Sequence, residues 1–156
     1  MPQPNFESVT LERVLDAPIE RVFSAWLKPE VKAQWFAPKG AICAVDGGGV
    51  KTGAHESIML RTPQGLQLLD ITYCDVRHNA RISYRCDTYV AGRHVAASAV
   101  VVKFEAHGGQ TLITIREEIM HVAMMTAPPG SRTIDQQPFI APEERLVARS
   151  RYHAPF

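Results

Sequence analysis

The groups with chemical potential in this 156-residue chain are six histidines, three cysteines and a scatter of acidic and phenolic side chains. His55, His78, His94, His107, His121 and His153 have no pair at the spacing of a helical zinc motif, and no CxxC is present, so no metal or other cofactor is expected. Gly47-Gly48-Gly49-Val50-Lys51-Thr52 superficially resembles a phosphate loop, but Val50 stands where that loop needs glycine before its lysine. The segment reads as a glycine-rich turn in a sheet. There is no GxSxG, and Arg85 cannot activate Cys86 because adjacent strand residues point to opposite faces. No catalytic residue is assigned. Cys43, Cys74 and Cys86 are odd in number and widely spaced, the pattern of reduced thiols in a cytoplasmic protein.

What remains are polar residues placed on strands by alternation. On 54–61, His55, Ser57 and Met59 share one face, opposite Glu56, Ile58 and Leu60. On 66–76, Tyr73 and Asp75 share a face with Ile71; on 81–86, Ile82, Tyr84 and Cys86 oppose Ser83 and Arg85. On 111–118, Ile113 and Ile115 share a face with Glu117. A few polar groups set in an apolar wall are the usual composition of a ligand pocket. An acid there with a raised pKa can do acid–base work. The plainer alternative is that these groups hydrogen-bond one another.

The positioning elements follow from periodicity. Residues 7–15 alternate as a strand, and Asp16-Ala17-Pro18 opens a helix with Pro18 at its first position. Ile19, Val22, Phe23, Trp26 and Leu27 form its apolar stripe. Lys28 before Pro29 ends that helix, and Pro29 opens a short second one through about Trp35. Strands are expected at 42–45, 54–61, 66–76, 81–86, 95–105 and 111–118, with turns at Pro63-Gln64-Gly65, His78-Asn79 and His107-Gly108-Gly109. Strand, two helices, then consecutive strands predicts an α+β class with an antiparallel sheet. Val22, Phe23, Trp26, Val100, Val102 and Phe104 are the expected core.

Composition excludes several partners. Seventeen Lys and Arg against sixteen Asp and Glu leave a net charge of +1, with no basic excess to hold nucleic acid or an anionic membrane. The longest apolar run, Ala96–Val102, is broken by Ser98 and is far shorter than a membrane span. The amino terminus has no secretory pattern. A cytoplasmic protein without membrane or nucleic-acid partners is expected.

The segment Arg13-Val14-Leu15-Asp16-Ala17-Pro18-Ile19-Glu20-Arg21-Val22-Phe23-Ser24-Ala25-Trp26, then Pro29-Glu30, then Trp35-Phe36-Ala37-Pro38, resembles the START-like (SRPBCC) superfamily. Its nearest branch is the bacterial proteins named after the heat-shock-protein ATPase activator homologue. The resemblance covers residues 7–118 of a single domain over 1–156, leaving 119–156 as an atypical tail. It implies a helix-grip fold: a curved antiparallel sheet with two short helices after the first strand, wrapped around a long C-terminal helix. That long helix is not expected here, because Pro128, Pro129, Pro138 and Pro142 interrupt the tail. At most Pro142–Tyr152 is helical. The concave face then needs other cover, either a homodimer or irregular packing of Phe139, Ile140, Leu146 and Val147.

By the same resemblance His55, Ser57 and Met59 line the cavity, and with Trp35, Tyr73, Tyr84 and Glu117 they form the expected ligand-binding set. The favoured function is a binding protein for a small hydrophobic molecule, since the set offers Glu117 and little other acid. A cyclase or dehydratase acting on an aromatic or polyketide-like substrate, and a co-chaperone-like interaction protein, are the alternatives that the resemblance leaves open.

Overall fold

The computed structural model describes residues 5–35, 42–62 and 65–122. Its elements are β1 (Asn5–Leu15), α1 (Ile19–Leu27), α2 (Pro29–Trp35), β2 (Ile42–Gly47), β3 (His55–Thr62), β4 (Gly65–Arg77), β5 (Arg81–Val90), β6 (Arg93–His107) and β7 (Gln110–His121). The strands form one antiparallel sheet in the order β1-β7-β6-β5-β4-β3-β2. The sheet is curved and does not close on itself. The α+β, helix-grip-like class expected from the sequence is therefore observed. Phe36 and the expected packing of the tail, residues 123–156, lie outside the described residues. So does the side chain of Trp35, whose backbone ends α2.

Helix α1 forms because its apolar residues recur at helical spacing. Val22, Phe23 and Trp26 are buried against the sheet. Pro18 sits one position earlier than expected: it is the extended residue before the helix, and its carbonyl accepts from the Arg21 and Val22 amides. Lys28 is extended, as the residue before a proline must be. Its carbonyl accepts from the Val31 and Lys32 amides at 3.1 and 2.8 Å, so the same residue that stops α1 starts α2. Phe23 and Trp26 meet Phe104 edge-on at 5.1 and 6.0 Å. All six expected core residues are buried, none above 4% exposed. The Thr111 hydroxyl donates to the Ala17 carbonyl at 2.7 Å, fastening the entry to α1 onto β7.

Strands β5 and β6 run longer than alternation suggested. Ala91 and Gly92 both have positive φ, 50° and 79°, the geometry of a two-residue hairpin turn whose twist matches the strands it joins. Pairing therefore continues to Val90 and Arg93. A register shift in β4 between Tyr73 and Asp75 overturns the expected shared face of those two residues. The extra residue, Cys74, turns Asp75 to the rim, where it pairs with Arg81 at 2.6 Å and Arg77 at 3.3 Å. Val76 packs against the core instead.

Candidate functional site

The inward face of the sheet holds a cluster of three buried polar side chains. Lys32 on α2, Glu56 on β3 and Tyr73 on β4 are each no more than 2% exposed. The Lys32 Nζ donates to Glu56 Oε1 at 2.6 Å and to the Tyr73 hydroxyl at 2.7 Å. The Tyr73 hydroxyl in turn donates to Glu56 Oε1 at 2.5 Å. A buried carboxylate is tolerated only when paired and hydrogen-bonded, and one oxygen here takes two donors.

This cluster corrects the expected orientation of β3. Glu56, Ile58 and Leu60 are buried, whereas His55 and Met59 are exposed and Ser57 is half-buried on the other face. The reason is the parity of the strand. Burying Ile58 and Leu60 stabilises by about 1.5–3 kcal/mol each, and Glu56 shares their face, so it goes inward with them. His55 instead meets Thr72 on the outward side, Nδ1 to Oγ1 at 3.0 Å. The close approach of β2 belongs to the same arrangement. Gly47 has φ +139°, and a Cβ there would lie 2.5 Å from the His55 carbonyl oxygen and 2.7 Å from the Glu56 Cα. Only glycine lets β2 pair at the position of Glu56.

Tyr73, Tyr84 and Glu117 do share the inward face. Tyr73 lies directly across from Tyr84, Tyr84 from Val100, and Val100 from Glu117. The Tyr73 and Tyr84 rings meet edge-on at 5.8 Å, and Tyr84 and Glu117 are 7% and 6% exposed. Of the expected set, then, the structure brings Tyr73, Tyr84 and Glu117 together and separates His55, Ser57 and Met59 from them.

The electrostatics make the cluster a clamp rather than a reacting group. Burial and the adjacent Glu56 carboxylate push the Tyr73 phenol far above its ordinary pKa, so it stays protonated and donates. Cys43 on β2 is raised to about 11, chiefly by burial, with Lys32 opposing and Glu56 adding to the shift. It is a neutral thiol at neutral pH, without the thiolate that nucleophilic work needs. Lys32 was missed by sequence reasoning because a lysine in a short helix carries no signal of burial. Glu56 had one: an acid in register with Ile58 and Leu60 must find a cation if those two go inward.

On the opposite, outward face of the sheet lies an open groove of about 560 Å³. Its walls are two cross-strand rows of outward-pointing residues on β1, β7, β6 and β5: Ser8, Glu118, Ala99 and Arg85 in one, and Phe6, Met120, Ala97 and Asp87 in the other. Between the two rows, Cys86 and Ile119 turn to the inward face, where they are buried two residues along their strands from Tyr84 and Glu117 respectively. Ser98 pairs directly with both Cys86 and Ile119. Glu118 is held below the ordinary carboxylate range by hydrogen bonds from Ser8 and Arg116. No helix among the described residues is long and apolar enough to cross a membrane.

Solved structures share this architecture. An uncharacterised protein from Rhizobium leguminosarum is 29% identical, with a TM-score of 0.73 over 97% of this chain and 99% of its own. Protein CV1439 from Chromobacterium violaceum is 22% identical, with a TM-score of 0.71 over 92% and 94%. DynU16, from the dynemicin biosynthetic locus, is 19% identical, with a TM-score of 0.66 over 93% of this chain and 46% of its own; at such identity the likeness concerns the fold alone. No curated protein matches the chain. The family model described as Activator of Hsp90 ATPase homolog 1-like protein matches residues 16–135. With the helix pair inserted after the first strand and the curved sheet behind it, that match settles the family: the chain belongs to the Activator of Hsp90 ATPase homolog 1-like proteins, of START-like type.

Proposed function

We propose that this protein binds a small, largely apolar molecule against the inward face of the curved sheet, with Tyr84 and Glu117 as its polar anchors. The observation that carries this reading is the make-up of the inward face. Tyr84 and Glu117 stand among Ile82, Cys86, Val100, Ile113, Ile115 and Ile119, all buried. Small-molecule sites are lined in this way, mostly apolar with a few polar groups that fix orientation. The Lys32–Glu56–Tyr73 clamp fits a supporting role, since it is sealed from solvent and holds α2 to the sheet.

Titration with the neutral fluorophore N-phenyl-1-naphthylamine tests the reading. Saturable binding is expected in the wild type. Ser98→Trp, which puts an indole on the inward face beside Cys86 and Ile119, should weaken it at least about tenfold, a loss of about 1.4 kcal/mol. Circular dichroism checks that the variant is folded. Non-saturable binding, or affinity that Ser98→Trp and Glu117→Gln both leave unchanged, would remove the inward face from consideration. Mass spectrometry of molecules released from the native protein would then name the ligand class.

A further inference from the structure

Among the described residues, β1 has a strand on one side only. It is an 11-residue edge, long for a strand left unpaired, and such edges template pairing with another chain. Val9, Leu11 and Arg13 are half-buried on its inward face, and Phe6, Ser8, Thr10, Glu12 and Val14 are exposed on the other. Phe6 is 77% and Val14 49% exposed.

We propose that two copies of this chain associate by antiparallel pairing of their β1 edges about a two-fold axis, Thr10 opposite Thr10, so that the two sheets become continuous. The register follows from the side chains. With Thr10 on the axis, Phe6 faces Val14 of the second copy, Glu7 faces Arg13, Ser8 faces Glu12 and Val9 faces Leu11. The two large exposed apolar side chains are covered by each other, Glu7, which meets His121 within its own copy at 2.9 Å, gains the Arg13 guanidinium, and Glu12 faces the neutral Ser8. Each match occurs twice by symmetry. Centring on Val9 instead sets Phe6 against Glu12 and Glu7 against Leu11; centring on Leu11 sets Val9 against Arg13. Intermediate registers place inward residues opposite outward ones. One register alone satisfies both faces, and directly opposed pairs are the unit of sheet stabilisation. The other edge, β2 (ICAVDG), has Asp46 as its only charge and no partner for it in a second copy. The inference is independent of ligand binding.

An edge-to-edge contact is a small interface, at the weak end of specific association, so the full-length chain should show a concentration-dependent dimer in sedimentation at about 100 µM. Glu7→Arg and Arg13→Glu, each alone, set like charges opposite one another and should shift the chain to monomer, and the two together should restore the dimer. Covalent capture fixes the register. Opposed Cα atoms about 4.5–5.5 Å apart are within disulfide reach, so Thr10→Cys should cross-link to itself under mild oxidation. Peptide mapping should show the bond between the two introduced thiols rather than at Cys43, Cys74 or Cys86. Val14→Cys, off the axis, should not self-link. A monomer at 100 µM that also fails to cross-link through Thr10→Cys overturns the proposal. So does a dimer indifferent to both charge reversals, or equal capture through Val14→Cys.

Discussion

Replacing Lys32 by methionine tests the central electrostatic claim. The substitution keeps an unbranched apolar stem at a site only 2% exposed and removes the ammonium. Glu56 Oε1 then retains the Tyr73 hydroxyl but loses the donor at 2.6 Å, leaving a carboxylate that is buried without its counter-charge. Removing one partner of a buried ion pair costs about 3–5 kcal/mol, far more than the pair itself contributes against an apolar replacement. With a urea m-value of about 2 kcal/mol/M, the unfolding midpoint should fall by about 1.5–2.5 M. The triple variant Lys32→Met, Glu56→Leu, Tyr73→Phe removes every member of the cluster at once and should recover most of that loss, because no polar group is stranded. Equilibrium urea unfolding by tryptophan fluorescence and circular dichroism measures both. A loss below about 1 kcal/mol for Lys32→Met, or a triple variant no more stable than the single, would refute the reasoning that the three groups are mutually dependent.

Two further outcomes follow from packing and charge. Phe23 is 2% exposed and meets Phe104 and His78 edge-on at 5.1 and 5.5 Å; Phe23→Ala should cost about 3–5 kcal/mol, and a midpoint shift worth under about 1 kcal/mol would show that the site collapses around the deletion. Asp75 is held below its ordinary pKa, first by the hydrogen bond from Arg81. A depressed folded-state value stabilises the fold above the unfolded pKa, about 3.9, and that contribution disappears as pH falls through the lower folded value. Asp75→Asn should therefore lower the unfolding midpoint at pH 6–7 and converge with the wild type at acidic pH; a gap unchanged down to pH 2 would mean that the carboxylate charge is not what Arg81 recognises.

The element order was readable because each element depends on local rules. Stripe spacing made α1, Lys28-Pro29 divided the helices, and period-two runs made the strands. Tyr73, Tyr84 and Glu117 were assigned to one face correctly because the residues beside them on that face, Ile71, Ile82 and Ile115, are apolar and become buried. Alternation within β3 yields two faces without saying which is inside. There the histidine, serine and methionine were placed inward, whereas Ile58 and Leu60 decided the matter by their burial and carried Glu56 with them. The shift at Cys74 was invisible for a similar reason: nothing in one strand reports the register of its neighbour, and Asp75 left the inward face only when β4 met β5. Local sequence therefore specified which residues are helical, extended or turning. Tertiary structure decided which face of β3 is buried and joined Lys32, Glu56 and Tyr73, because their contact spans separations of 24 and 41 residues from Lys32 and exists only once the helix pair lies on the sheet.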